Sequence, residues 1–128
     1  MSGNWELVAT RSGGSVTSLA TTPSSVLAAT PAGLRCSVDN GRSWSPLGSV
    51  LAPPMELAVP SPTFAATGIV FAGTAAGLHA SADGGRSWRP VLLGSRVLAV
   101  AFVDDDALLV GTEQDGTLRS EDGGKTWA

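Results

Sequence analysis

Ser37-Val-Asp39-Asn-Gly41-Arg-Ser43-Trp44 is an eight-residue stretch whose polar pattern recurs twice more along the chain. The second copy is Ser81-Ala-Asp83-Gly-Gly85-Arg-Ser87-Trp88, and the third is Ser120-Glu-Asp122-Gly-Gly124-Lys-Thr126-Trp127. We refer to this Ser-x-Asp-x-Gly-x-Ser/Thr-Trp sequence as the motif. Self-similarity at a period of about 40 residues is typical of propellers and other repeat architectures, so the motif predicts the fold more directly than any single residue.

The period is marked by the four tryptophans of the chain, Trp5, Trp44, Trp88 and Trp127. They are 39, 44 and 39 residues apart, which divides a single domain over 1–128 into repeats of roughly 5–44, 44–88 and 88–127. The middle repeat is longer because of a stretch around 60–68 whose Pro and Gly content predicts a loop.

Each repeat carries short β-type runs separated by Gly, Pro, Asp or Ser, such as 16–20, 26–30 and 34–37 in the first repeat. A fourth run starts at each tryptophan. Four short antiparallel strands per ~40 residues is the strand count of a propeller blade. We therefore expect an all-β fold of three four-stranded antiparallel propeller blades. The motif falls between the third and fourth strands, where its Asp can accept backbone hydrogen bonds and its Gly can adopt a positive φ.

Composition excludes several classes of protein. The net charge is −3 and 15% of the residues are charged, with no basic patch, so a nucleic-acid partner is not expected. No run of 18 apolar residues is present, so no membrane span is expected. The N-terminus lacks a basic region followed by an apolar stretch, and this absence favours a cytoplasmic product. Cys36 is the only cysteine, so it is expected to be a packed thiol and not part of an intrachain disulfide.

The motif resembles the Asp-box, or BNR repeat, of sialidase-like β-propellers, and all three copies match it fully. The wider context over 69–88 resembles Asp-box units of bacterial BNR-repeat proteins and of xyloglucanase-like and photosystem-assembly-factor-like propellers. The resemblance implies that the motif lies at the blade periphery, away from the central site. Asp39, Asp83 and Asp122 are accordingly interpreted as residues that stabilise a turn, and the tryptophans as groups that pack the blades.

Three blades do not close a ring, because propellers have roughly four to eight blades. Six is the only multiple of three in that range, so we expect half of a six-bladed propeller that a second copy completes about a twofold axis. The third motif ends one residue before the end of the sequence, and a predicted strand at 4–10 could close the last blade of the second copy. Two alternatives stay open: a piece of a longer product with more blades, or an open arc of three blades closed by other means.

Sialidase chemistry is not expected. The resemblance implies an arginine triad, a tyrosine nucleophile with a glutamate partner and an aspartate acid/base, but this chain has no tyrosine and no Arg-Ile-Pro-type segment near its N-terminus. Other glycosidases need two carboxylates around the scissile bond. Glu56 opens a first strand, which lines the channel in a propeller, so it is the best candidate for a central acid. The alternative is that Glu56 is solvated or paired with an arginine.

Three basic residues directly follow the Leu of each predicted third strand, namely Arg35, His79 and Arg119. They are candidates to bind an anionic ligand, because arginine matches carboxylate and phosphate geometry; the alternative is that they are solvent-facing residues of their strands. The acidic run at 104–106 could bind a cation, although a solvated turn is the expected state. One histidine and one cysteine cannot supply an intrachain zinc site, so no metal or cofactor is expected.

The sequence thus favours a non-enzymatic propeller module that serves as a structural or ligand-binding scaffold and assembles as a homodimeric six-bladed ring. Its ligand would be a glycan or an anion. The alternative is a glycoside-hydrolase-like enzyme, or a fragment of a longer BNR-repeat propeller that acts on glycans. Paired carboxylates at the mouth of the channel would distinguish the two.

Overall fold

A computed structural model of the chain describes residues 15–48 and 51–128. The predicted strand at 4–10 lies outside the described residues. Within them all the regular elements but one are β-strands, and in chain order they are β1 Ser18–Thr21, β2 Val26–Thr30, β3 Gly33–Ser37, β4 Ser45–Leu47, β5 Met55–Pro60, α1 Phe64–Thr67, β6 Val70–Thr74, β7 Gly77–Ser81, β8 Arg89–Leu93, β9 Val97–Phe102, β10 Leu108–Thr112 and β11 Thr117–Ser120.

The strands form three antiparallel sheets in which chain neighbours are sheet neighbours. The orders are β1-β2-β3-β4, β5-β6-β7-β8 and β9-β10-β11. At the outer edge of the third sheet, Ala128 takes the place of a fourth strand: its N–H donates to the carbonyl of Arg119 (2.9 Å) and its carbonyl accepts from the N–H of Arg119 (3.0 Å). The predicted all-β organisation in four-stranded antiparallel units is confirmed, with only this one pair at the fourth-strand position of the third sheet.

The sheets stack face to face, and we call each surface where two sheets meet a seam. The leading face of a sheet points to the preceding sheet, and its trailing face points to the following one. In the first seam, Leu27 and Leu34 on the trailing face of sheet 1 pack with Met55, Val70 and other apolar residues on the leading face of sheet 2. In the second seam, trailing-face residues including Phe71 and Leu78 pack with Val97, Leu108 and Val110 of sheet 3. Burial of apolar side chains in these seams supplies the main stabilisation.

The first strands of the three sheets form one edge of the stack, which we call the inner edge. β1 contacts β5, and β5 contacts β9. A side-chain hydrogen bond links two of them, since the backbone N–H of Ala58 donates to Ser18 Oγ at 3.2 Å. This arrangement of first strands side by side, with fourth strands outermost, is the arrangement of propeller blades.

The extra residues of the middle repeat contain a short helix. The sequence predicted a loop there, and this prediction is wrong for Phe64–Thr67, which form one helical turn, α1. Gly68 ends the turn in the left-handed conformation (φ +71°), and its N–H donates to the carbonyl of Phe64 at 2.8 Å. The carbonyl of Gly68 then accepts from the N–H of Gly84 at 2.9 Å, so the insertion docks on the second motif. No helix in the described part of the chain has the length and hydrophobicity to cross a bilayer.

Candidate functional sites

The three motifs share one hydrogen-bond pattern centred on the aspartate. In the second copy, Asp83 Oδ1 accepts from Ser81 Oγ (2.7 Å) and from the N–H of Ser87 (2.9 Å), and Asp83 Oδ2 accepts from Ser87 Oγ (2.5 Å). Ser81 Oγ also accepts from the N–H of Gly85 at 2.9 Å. Asp39 and Asp122 have the equivalent partners. Each carboxylate is therefore saturated by donors of its own turn.

These hydrogen bonds hold the motif carboxylates in the ionised state. The hydroxyl of Ser43 is the main cause that lowers the pKa of Asp39 to about 2. The hydroxyl of Ser87 lowers the pKa of Asp83, and that of Thr126 lowers the pKa of Asp122. A group that donates or accepts a proton in catalysis needs a pKa near the working pH. The motif aspartates are thus suited to stabilise turns and not to perform acid–base chemistry.

The motif also contributes to the seams. A Cβ atom built on Gly85 would lie 2.6 Å from Leu34 Cδ2 on the preceding sheet, and one built on Gly124 would lie 3.0 Å from the ring of Phe71. Trp88 packs against the apolar cluster of the first seam, and Trp127 packs against that of the second. The second and third motifs therefore each join their own sheet to the one before it.

A charged cluster crosses the inner edge between sheets 2 and 3. Arg96, which directly precedes β9, forms an ion pair with Glu56 of β5 (Nη1 to Oε2, 2.5 Å), and its Nε lies 4.0 Å from Glu113 Oε2. The side chains of Arg96 and Glu56 are 40% and 38% exposed. The non-catalytic alternatives for Glu56 were a solvated side chain or one paired with an arginine, and in the structure Glu56 is paired with Arg96. Sequence reasoning missed Arg96, although opposite charges 40 residues apart, one repeat, are a signal for contact between adjacent first strands.

The structure separates the three basic candidates. Arg35 lies opposite Ala28 and His79 lies opposite Ala72, which are equivalent positions, and both point to the leading face of their sheets. Arg119 lies opposite Leu109 and Ala128, and this is the register of Cys36 and Ala80 on the trailing face.

The prediction that Arg119 occupies the same position as Arg35 and His79 is therefore wrong. The hairpin from Thr112 to Gly116 is one residue longer than those from Thr30 to Gly33 and from Thr74 to Gly77. The alignment that matched Leu118 with Leu34 and Leu78 assumed two extra residues in this hairpin, but the hairpin has only one. The alignment was therefore wrong by one residue, and a shift of one residue moves a side chain to the other face of a sheet. Leu118 is the true equivalent of Arg35 and His79. The role of these residues in ligand binding stays a prediction.

The acidic run at 104–106 forms a self-contained turn. Asp104 Oδ1 accepts from the N–H groups of Asp106 (2.9 Å) and Ala107 (2.7 Å), and the bond from Ala107 is the main cause that lowers the pKa of Asp104. A shallow depression here is also lined by Asp105 and Glu121. Across residues 15–48 and 51–128, no three His, Cys, Asp or Glu side chains are grouped so that they could hold a metal ion.

Comparison with solved structures shows a propeller fold. An ancestral GH74 enzyme superposes with a TM-score of 0.78 at 21% identity, covering 100% of this chain and 19% of that one. YCF48 from Cyanidioschyzon merolae superposes with a TM-score of 0.70 at 20% identity over 90% of this chain and 40% of that one. YCF48 bound to a D1 peptide gives 0.75 at 18% identity over 98% and 42%. No protein-family model matches the sequence, and no curated protein matches it.

These likenesses identify the three stacked sheets as part of a β-propeller. The chain spans less than half the length of each of these neighbours. At this level of identity the likeness extends to the fold and not to activity, because the same fold carries unrelated functions.

Proposed function

We propose that the chain is a non-catalytic propeller module of the Asp-box (BNR-repeat) type, which acts as a structural or ligand-binding scaffold. The observation that carries this proposal is the state of the motif acids: Asp39, Asp83 and Asp122 each accept several hydrogen bonds from their own turn. The acids that recur in the sequence are thereby committed to structure. The resemblance of all three motifs to the Asp-box supports the family assignment.

The scaffold we propose is a ring made of two copies. The support is that sheets 1 and 2 and sheets 2 and 3 pack in the same way, while in residues 15–48 and 51–128 no other sheet packs on the leading face of sheet 1 or on the trailing face of sheet 3. Native mass spectrometry at micromolar concentration would show a species of twice the 12.9 kDa of the chain. A monomer at every concentration up to about 100 µM would contradict the ring, because obligate assemblies of this kind are held far more tightly.

The ligand we propose is a glycan or an anion that meets the inner edge. The support is the exposed charge there, where Glu56, Arg96 and Glu113 lie together on two adjacent sheets. An array of acidic and neutral glycans, followed by a hydrolysis assay on every glycan retained, tests both parts of the proposal. Retention without release of reducing sugar is the expected result. Weaker retention in Arg96→Gln than in the control Arg89→Gln, an exposed residue of the outer strand β8, would place the ligand at the inner edge.

A glycoside-hydrolase-like role is the second candidate, because the GH74 enzyme superposes on the whole chain. Such an enzyme needs a second carboxylate 5–10 Å from the first, roughly, and Glu113 is the residue that shares Arg96 with Glu56. Release of sugar by the wild-type chain that Glu56→Gln abolishes would establish this role and overturn the non-catalytic one. In that role the chain would act as part of a longer propeller. The GH74 enzyme and YCF48, of which the matches cover 19% and 40%, are examples of longer chains.

A further inference from the structure

We infer that the leading face of sheet 1 docks on the trailing face of sheet 3 of a second copy, forming a third seam of the same kind as the two inside the chain. This inference rests on the proposed two-copy ring and goes further by assigning its surfaces. Three observations carry it: the exposure of apolar residues on the leading face, the residues of the trailing face, and the separation of the two faces among the described residues of one chain.

The leading face of sheet 1 exposes apolar residues at positions that are buried in the other two sheets. Leu19 is 65% exposed, whereas Ala58, its equivalent on sheet 2, is 3% exposed in the first seam. Val16 is 52% exposed, whereas its equivalents Met55 and Val97 are 2% and 1% exposed. The register fixes the equivalence of Leu19 and Ala58, which lie opposite Ala28 and Ala72. Val16 is matched to Met55 because each lies three residues before these positions along the chain. The same positions are thus covered at two seams and uncovered at the third.

The trailing face of sheet 3 has the matching half of a seam in a more polar form. Leu109 lies opposite Arg119 and is equivalent to Leu27 and Phe71, which are fully buried in the first and second seams. Thr117 occupies the position of Leu34 and Leu78. A seam that joins separate chains has to form from water-exposed surfaces, and such interfaces are more polar than the interior of a chain.

Within residues 15–48 and 51–128, the leading face of sheet 1 and the trailing face of sheet 3 do not meet each other. The extensive contacts between sheets in the described residues join β1 and β2 to β5, and β5 and β6 to β9, and none of comparable extent joins sheet 1 to sheet 3. A trailing face packs well against a leading face, since both seams inside the chain join these two kinds of face. The partner that supplies each missing half is therefore a second copy of the same chain.

The polar change at position 119 fits this assignment. Its equivalents Cys36 and Ala80 share an apolar cluster with the tryptophan of the following sheet, Trp88 and Trp127 respectively. In the third seam the same relation places Arg119 beside Trp44 of the second copy. A guanidinium over an indole ring is a favourable pair, and arginine and tryptophan are enriched among residues that dominate interface energies.

The contact we infer is heterologous, because it joins two different faces. This property gives a complementation test. Leu19→Arg disables the leading face, and Leu109→Glu disables the trailing face, so each variant alone should be monomeric, with association at least tenfold weaker than in the wild-type chain. An equimolar mixture should regain dimers, because a mixed pair has one unaltered seam and one in which Arg faces Glu. Val38→Arg, at an exposed motif position 81% accessible to solvent, is the matched control and should stay dimeric.

Sedimentation velocity and native mass spectrometry of tagged variants read out the result, with circular dichroism to verify folding. Thr117 is exposed on the same face, so Thr117→Glu replaces Leu109→Glu should the latter fail to fold and keeps an acidic residue facing Arg in the mixed pair. Arg119→Ala should weaken association by about two- to fivefold, the size of an exposed cation–π pair. A dimer that tolerates every trailing-face variant, or a mixture that fails to regain dimers, overturns the assignment of the faces while leaving the two-copy ring intact. A monomeric wild-type chain overturns the ring itself.

Discussion

The backbone of Gly85 lies directly against the side chain of Leu34 on the preceding sheet, so close that a Cβ atom at Gly85 would be 2.6 Å from Leu34 Cδ2. The same glycine adopts φ +97° and donates its N–H to Ser81 Oγ. One residue therefore completes the turn of the motif and allows two sheets to approach. The motif is in this way a device for joining sheets as well as a hairpin turn.

Replacing Gly85 should be more costly than replacing a glycine that serves the turn alone. Gly85→Ala combines backbone strain of about 1–2 kcal/mol with overpacking against Leu34 of about 1–3 kcal/mol. Gly123→Ala is the control, because Gly123 also has a positive φ (+73°) but no atom within 4 Å of an added Cβ. The free energy of unfolding in urea measures both. Equal losses in the two variants would show that the contact with Leu34 has no energetic weight.

Stability should fall in acid because of the motif aspartates. Their pKa values in the folded chain lie below the ordinary 3.8, at about 2 for Asp39, so folding favours the ionised carboxylates. Their contribution is complete above pH 3.8 and is lost as the pH falls through the pKa of each carboxylate in the folded chain. Urea unfolding between pH 2 and pH 5 should show this decline, and Asp83→Asn should reduce both the stability at pH 7 and the slope. Asp105→Asn, at an exposed turn residue whose carboxylate has no hydrogen bond among the described residues, is the control and should leave the stability at pH 7 unchanged.

His79→Leu should stabilise the chain by about 1–3 kcal/mol at pH 7, because His79 Nδ1 is buried with no hydrogen-bond partner among the described residues, and Leu118 already occupies the equivalent position of sheet 3. Burial lowers the pKa of His79 below 6.5, so its neutral form is the one that folds. Wild-type stability is then complete above pH 6.5 and declines as the pH falls through the folded pKa. Thermal unfolding of the wild-type chain from pH 5 to pH 8 should show that decline, and His79→Leu should not. If His79→Leu shows the same decline, His79 is not the group that causes it.

The ion pair between Glu56 and Arg96 should contribute little to stability in spite of its short distance. Both side chains are more than a third exposed, and exposed pairs are worth about 0–1 kcal/mol. A double-mutant cycle with Glu56→Gln and Arg96→Gln should give a coupling energy of about 0.5 kcal/mol that decreases in 1 M salt. A coupling above about 2 kcal/mol, insensitive to salt, would indicate that the pair is desolvated in the assembled ring.

Local sequence predicted the strands well where an alternating apolar run is bounded by turn residues. The run at 26–30 is β2 in the structure with the same bounds, and the motif lies between the third and fourth strands of sheets 1 and 2, as predicted. The helix α1 was missed because four residues are too few to show helical periodicity. Arg96 was missed as the partner of Glu56 because their contact spans a whole repeat.

The sequence by itself determined the period, the all-β blades and the roles of the Asp and the Gly of the motif in its turn. These follow from interactions within a few residues, such as Ser81 and Ser87 with Asp83, which recur wherever the pattern recurs. Only the tertiary structure decided which face each residue occupies and which sheet it meets. The hairpin after Thr112 is only one residue longer than those of the other sheets, although the sequence has two extra residues before Leu118. Arg119 therefore lies on the trailing face, because side chains in a strand alternate with a period of two. That placement, and the exposure of Leu19, depends on how whole sheets stack.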